Sequence, residues 1–254
     1  MKMPGESAHL LEKKPQKKSQ FAKALLELRL LILNGEFKAN SRLPETALAE
    51  RLGISRTPLR QAMARLVEEN LLERMSSGGC KVASFIMDDI CDAIELRGVL
   101  EGTAARLAAE RGVDAEMADE CRQVLDELDD AIYGADEIDF PRYVKLNARL
   151  HDLFGSLCGS KLIKREVEKA SRLPLASPSS FLQGQELFPD FRESLKKAQQ
   201  QHKAIFDAII HREGSRAEAL AREHARLARE NLNYVMNDKP GLADRIPGMA
   251  LVST

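Results

Sequence analysis

The most constraining feature of this chain is a four-residue break, Leu52-Gly53-Ile54-Ser55, between two amphipathic runs. Before it, Leu48, Ala49 and Leu52 recur at helical spacing; after it, Leu59, Met63 and Leu66 do the same. Two helices joined so briefly must turn sharply, and Gly53 is the residue type that such a bend accepts. Ser55 is a candidate N-cap for the second helix. Arg56, Thr57, Arg60 and Gln61 then occupy its N-terminal end, away from the apolar stripe. Two arginines four apart share one stripe, from which a helix entering a major groove can reach guanine edges or phosphates. Thr57 and the unpaired N–H groups of the first turn suit a phosphate. An ordinary solvated helix face has the same pattern, so the spacing alone does not decide.

The flanks complete a winged helix-turn-helix. A helix is expected from near Ser19, with Phe21, Leu25, Leu28 and Ile32 on its buried face and Asn34-Gly35 as its stop. After Asn70, the run Leu71–Met75, the turn Ser76-Ser77-Gly78-Gly79 and the run Cys80–Ala83 read as a short hairpin, a wing carrying Lys81 and two glycines. Residues 1–18, with Pro4, Gly5, Pro15 and several lysines, read as a disordered basic arm. Charge agrees with a DNA-facing head. Residues 1–81 hold 15 Lys and Arg against 9 Asp and Glu, a net +6, whereas the remainder holds 23 against 30, a net −7.

The stretch Leu48-Ala49-Glu50-Arg51-Leu52-Gly53-Ile54-Ser55-Arg56-Thr57-Pro58-Leu59-Arg60-Gln61-Ala62-Met63-Ala64-Arg65-Leu66 resembles the signature of the GntR family of regulators. The resemblance implies that Ser55, Arg56, Thr57 and Arg60 open a recognition helix on operator DNA, and that Gly78 or Gly79 approaches a minor groove. Some relatives carry another DNA-contacting arginine in the second helix. Glu45-Thr46-Ala47 stands there in this chain, leaving Arg42 or Arg51 as substitutes, or no contact.

From Met87 every segment reads as helix: about 88–111, 114–133, 140–157, 161–172, 191–212 and 216–236. Ile90, Ile94 and Leu107 are expected inside the first. Residues 174–190, rich in Pro, Ser and Gln, read as a long loop, either a mobile connection or a pocket cover. Residues from 239 read as a tail. The domains are thus 1–18, 19–85, 88–238 and 239–254, mainly α with a small β-hairpin wing ahead of an all-α antiparallel bundle.

Three of the five histidines form a geometric set. Asn147 and His151, four apart, project from one side of a helix beside Leu146, Leu150, Leu153 and Leu157. His202 and His224 each lie 11 positions from residue 213, at the expected turn. Folded antiparallel, they would lie level, about 16 Å from that turn. Bundles build interior metal sites this way. Three imidazoles and an oxygen suit Zn²⁺ first, with Ni²⁺ or Mn²⁺ as alternatives; three hydrogen-bonded histidines without metal fit the spacing too.

The order of elements, with Glu95-Leu96-Arg97, Leu100-Glu101 and Ala104–Glu110, resembles the FCD sensor domain of the FadR-like branch, in the six-helix VanR-like form. The resemblance implies that Asn147, His151, His202 and His224 are its metal ligands. Asn147 stands where many relatives have Asp, which weakens the site and leaves the metal charge uncompensated. A small carboxylate effector is therefore expected at the metal. Arg97 either assists it or serves as a salt-bridge partner. The resemblance also implies a homodimer on an inverted-repeat operator, most commonly a repressor released by its effector.

Other classes fit less well. A metal-dependent hydrolase has no use for the head, and no Asp or Glu in the sequence stands beside the quartet as a general base. An architectural DNA binder needs no ligand site. Cys80, Cys91, Cys121 and Cys158 are scattered and read as reduced thiols. No signal segment or bilayer-spanning run is read, so a cytoplasmic protein with no membrane partner is expected.

Overall fold

The computed structural model describes residues 14–134, 137–173, 175–180, 191–238, 241 and 246–253. The chain divides into two units between Ser84 and Phe85. In the first, helix α1 (Lys14–Leu33) packs on α3 (Arg56–Glu68) through Ala24, Leu28 and Ile32, and α2 (Glu45–Leu52) bridges the sequence between them. Phe21 and Leu25 are only partly buried. α1 starts five residues before the expected Ser19, so residues 14–18 are helical rather than part of a disordered arm. Pro15 falls in the first turn, where its missing N–H has no partner to lose. Residues 1–13, the rest of the expected arm, lie outside the described residues.

Gly53 takes φ 62° and ψ 36°, and its N–H closes on the carbonyls of Ala49 and Glu50, which ends α2 and aims the chain into α3. Ser55 holds the N-cap position of α3 without a side-chain capping bond. The expected cap is thus positional only, and the hydroxyl is left exposed. Pro58, Leu59, Ala62, Met63 and Leu66 form the buried face of α3. Strands β1 (Leu72–Arg74) and β2 (Cys80–Val82) pair antiparallel, Glu73 opposite Lys81. Gly78 and Gly79 take φ 85° and 81° at the tip of this wing, a backbone that other residues enter only with strain.

The second unit holds six α-helices among the described residues: α4 (Met87–Arg111), α5 (Ala115–Tyr133), α6 (Phe140–Leu157), α7 (Lys161–Ala170), α8 (Phe191–Ile210) and α9 (Gly214–Asn233), which continues as a π-helical turn, Tyr234–Asp238. Caps set their starts: Asp114 accepts from the Glu116 and Met117 amides, Asp139 from Arg142, and Ser160 from Ile163. α4 lies against α9 at the distance allowed by two glycines. A Cβ on Gly98 would stand 2.9 Å from the Ala225 Cβ, and one on Gly102 would stand 3.0 Å from the Glu218 carbonyl. Glycine costs about 1 kcal/mol in a helix interior; here the close approach of two backbones offsets it. The main core runs from Ala104 and Ala108 through Val124, Leu128, Leu150 and Ile205 to Ala217, with Leu107 only partly buried at its edge.

The C-terminal segment is not a tail. Ile246, Met249 and Leu251 are buried in a second core with Ile90, Ile94, Leu232 and Val235. The Pro, Gly and Asp residues at 240–244 make the sequence read as unstructured. The few apolar residues after them are enough to bury the segment.

Candidate functional site

The antiparallel pairing of α8 and α9 brings His202 level with His224, and α6 adds His151. One potential ligand atom from each histidine lies within 4.8 Å of the others. Their partners settle which nitrogen faces inward. Gln199 donates through Nε2 to the Leu125 carbonyl at 2.8 Å and to Asp129 Oδ1 at 3.0 Å, so its oxygen is left to accept from His202 Nδ1 at 3.3 Å. Glu101 Oε1 meets His151 Nδ1 at 3.3 Å, and Gln201 Oε1 meets His224 Nδ1 at 3.0 Å. With every Nδ1 carrying its hydrogen outward, the Nε2 lone pairs converge.

Two of these Nε2 atoms, on His151 and His224, lie 3.3 Å apart. Like lone pairs at that distance repel unless a proton or cation is shared. His202 Nε2 is buried and has no hydrogen-bond partner among the described residues. Burial lowers His202 and His224 well below the ordinary imidazole range, and electrostatic repulsion from the neighbouring imidazoles, with Arg97 at His224, adds to it. Both rings are therefore neutral, the form that binds a metal. Orphaned nitrogens, neutral rings and fixed tautomers fit a divalent cation. Asn147 is buried beside them and donates weakly through Nδ2 to Ser179 Oγ at 3.4 Å, which leaves its amide oxygen as the atom available to ligate a cation.

Arg97 is 2 % exposed. Its Nη2 donates to the Ala225 carbonyl at 3.2 Å, and its Nε lies 3.7 Å from Glu101 Oε2. Nε and Nη1 have no hydrogen-bond partner among the described residues. The expected ion pair is present, with Glu101 balancing part of its charge, while two guanidinium donors remain unused. A cavity of about 40 Å³ adjoins it, lined also by Tyr143, Asn147, His151, His224 and Asn231. Burial pushes the Tyr143 phenol up, so it remains a neutral donor. Across His151 lies a wider cleft of about 230 Å³, bordered by Lys164, Arg172, Ser171, Ser177 and Ser179. Both cavities include Pro178, so part of the expected 174–190 loop does wall them; residues 181–190 lie outside the described residues.

An acidic residue does stand beside the histidines, contrary to expectation. Burial works against charge on Glu101, yet Arg97 and the hydrogen bond and charge of His151 outweigh it, holding its carboxyl below the usual range. Glu101 therefore orients His151 instead of accepting a proton. Its position four residues after Arg97 on the same stripe was the available signal. Gln199 and Gln201 gave none, because glutamine on a helix is ordinarily solvent-facing.

In the head, Arg56, Thr57, Arg60 and Gln61 are exposed together at the start of α3. Arg56 forms no ion pair or side-chain hydrogen bond among the described residues, while Arg60 pairs with Glu45 at 2.7 Å. At the wing, Lys81 meets Asn40 Oδ1 at 2.9 Å and Glu73 at 3.0 Å. Arg42 reaches the Gly78 carbonyl at 3.5 Å and so lies at the wing tip, whereas Arg51 is engaged by Glu36 at 2.6 Å. Exposed pairs of this kind are worth little and yield readily to a phosphate.

Among the described residues, no helix is long and apolar enough to cross a membrane. Residues 22–82 match the bacterial regulatory proteins of the gntR family, and residues 92–227, more than half of the chain, match the FCD domain. The chain is 29% identical over 147 residues to the uncharacterized HTH-type transcriptional regulator YdhC of Bacillus subtilis, covering 58% of this chain and 64% of that one. It is 33% identical over 141 residues to the Nta operon transcriptional regulator of Aminobacter aminovorans, covering 55% and 65%. The chain thus spans somewhat less than two thirds of each of these relatives. E. coli McbR/YncC shares the fold, with a TM-score of 0.60 at 18% identity over 86% of this chain and 98% of that one. The chain therefore belongs to the GntR family of DNA-binding transcription regulators, a family of regulators and not of enzymes, with an FCD domain as its larger unit.

Proposed function

We propose that this regulator is a cytoplasmic repressor, a homodimer that holds an inverted-repeat operator and releases it when a small carboxylate binds beside a metal in the FCD domain. Arg56, Arg60 and Gln61 read the major groove, Thr57 and the first-turn N–H groups beside Ser55 take a phosphate, and Arg42, Lys81, Gly78 and Gly79 bring the wing to the neighbouring groove. Two heads are needed because one buries too little surface for operator choice.

His151, His202 and His224 would hold the metal through Nε2, with Asn147 as the oxygen donor; zinc suits this set first, nickel or manganese next. Once bound, the ion supplies an uncompensated positive charge with open positions. Glu101, Gln199 and Gln201 keep the three rings aimed inward. The observation that carries the carboxylate reading is Arg97, a buried guanidinium with two nitrogens unused beside a cavity sized for one small anionic group. The larger cleft, with its three serines and its mutually paired charges, suits the hydroxylated remainder of such an acid. The effector acts by its unequal affinity for the DNA-competent and released states.

Thermal melting of the zinc-loaded chain against organic acids and their neutral amides tests this. Acids should raise Tm and weaken binding to the chain's own promoter DNA. Stabilisation by the amides alone would exclude a carboxylate effector.

A further inference from the structure

The FCD match ends at residue 227, and the chain then adds a segment that grips the start of the unit. Phe85, which immediately follows the first unit, donates its N–H to the Leu251 carbonyl at 2.9 Å. Its own carbonyl accepts from the Ser253 amide at 2.8 Å and from Ser253 Oγ at 3.1 Å. This is a one-residue parallel bridge between Phe85 and Val252. Behind it, Ile246, Met249 and Leu251 sink into the core that also holds Ile90, Ile94, Leu175 and Ala176.

That core touches the cavities. Ala228 belongs to it and lines the Arg97 cavity. Leu175 and Ala176 lead directly into Ser177, Pro178 and Ser179, which border the wider cleft. Leu175 itself takes φ 59°, a conformation a branched side chain adopts only when packing holds it. A close-packed interior passes a displacement to its neighbours.

We propose that residues 246–253 are a clamp on the linker, the stretch around Phe85 where the second unit begins: they fix Phe85, and they sense the cavity wall through the shared core. The clamp itself needs no metal or effector; its sensing role rests on the cavities being the effector site proposed above. Release of the clamp frees the linker while leaving the histidine site intact, and a change at 175–179 loosens it from a distance.

Hydrogen exchange on the metal-free full chain tests both links. Ser253→Pro removes both Ser253 donors to the Phe85 carbonyl and leaves the buried residues in place; deletion of residues 253–254 does the same without proline. Both should speed exchange in peptides spanning 82–88 about tenfold, with rates in α6 and α8 unchanged. Leu175→Ala, far along the chain from the linker, should speed the same peptides as well. Unchanged linker exchange in both Ser253 variants overturns the clamp. Faster exchange there but not in Leu175→Ala overturns the connection to the cavity wall. Uniform acceleration across the unit would show that 246–253 is only part of the core, and also counts against the clamp. Zinc titration of the parent chain is read separately: its failure would remove the metal reading and leave these exchange rates as they stand.

Discussion

His202→Leu separates a metal ligand from a structural histidine. His202 is fully buried, and truncating a buried side chain of this size ordinarily costs about 2–5 kcal/mol. Leucine nearly conserves the volume, so the polar atoms decide. Substitution removes the orphaned Nε2, relieving about 1–3 kcal/mol, and strips Gln199 Oε1 of its partner at a similar cost. In metal-free protein the two offset each other to within about 2 kcal/mol, which for a unit of this size moves Tm by less than about 8 °C. Zinc then discriminates. At a free concentration about one hundred times Kd it stabilises the parent by about 2.7 kcal/mol, equivalent to about 5–11 °C. His202→Leu should show none of this shift. Differential scanning fluorimetry with a chelator, then with buffered zinc, measures both quantities. A metal-free loss beyond about 3 kcal/mol, or a zinc shift that survives the substitution, would refute the inward-facing lone pair on which the site rests.

Arg56→Ala and Arg60→Ala should each weaken binding to promoter DNA about tenfold or more while leaving the circular dichroism spectrum and Tm unchanged; equal affinity in gel-shift titrations would remove α3 as the reading helix. Gly98→Val should destabilise the FCD unit by about 1–3 kcal/mol in urea titration, because its Cβ meets the Ala225 Cβ at 2.9 Å; an unchanged midpoint would show that α4 and α9 can separate freely. Cys121 should respond to alkali. Burial, with Glu120 adding and Arg122 opposing, pushes its thiol from an ordinary 9.0 to about 12. The folded chain therefore keeps a proton that the unfolded chain surrenders, so the contribution is whole below about pH 9 and disappears as pH climbs toward 12. Relative to Cys121→Ala, the parent should hold its stability up to about pH 9 and lose it progressively from there toward about pH 12, and its thiol should resist alkylation until unfolded; a constant difference between the two chains across that range would count against the buried thiol.

The helix-turn-helix was legible because its determinants are local. Gly53, the apolar triplets around it and the exposed Arg56 and Arg60 are fixed by helical periodicity and one left-handed residue, none of which depends on the rest of the chain. The histidine set was legible for a related reason: two positions equidistant from a tight turn meet when the helices fold back. What surrounds those histidines was not. Glu101 approaches from α4 and Gln199 and Gln201 from α8, and only packing of α4, α6, α8 and α9 shows that each ring's outer nitrogen has an oxygen to hold it. The start of α1 at Lys14 was missed because a lysine-rich stretch has helix propensity but no apolar period to announce it. The C-terminal segment was missed because a few apolar residues among Pro, Gly and Asp carry no periodicity; their burial exists only where α4, α9 and residues 175–176 together make a surface for them. Sequence thus determined the elements and their polar faces, through interactions a few residues long. Tertiary structure alone decided which donors were left over at Arg97 and which lone pair at His202, because an unused hydrogen bond is defined by every neighbour that fails to reach it.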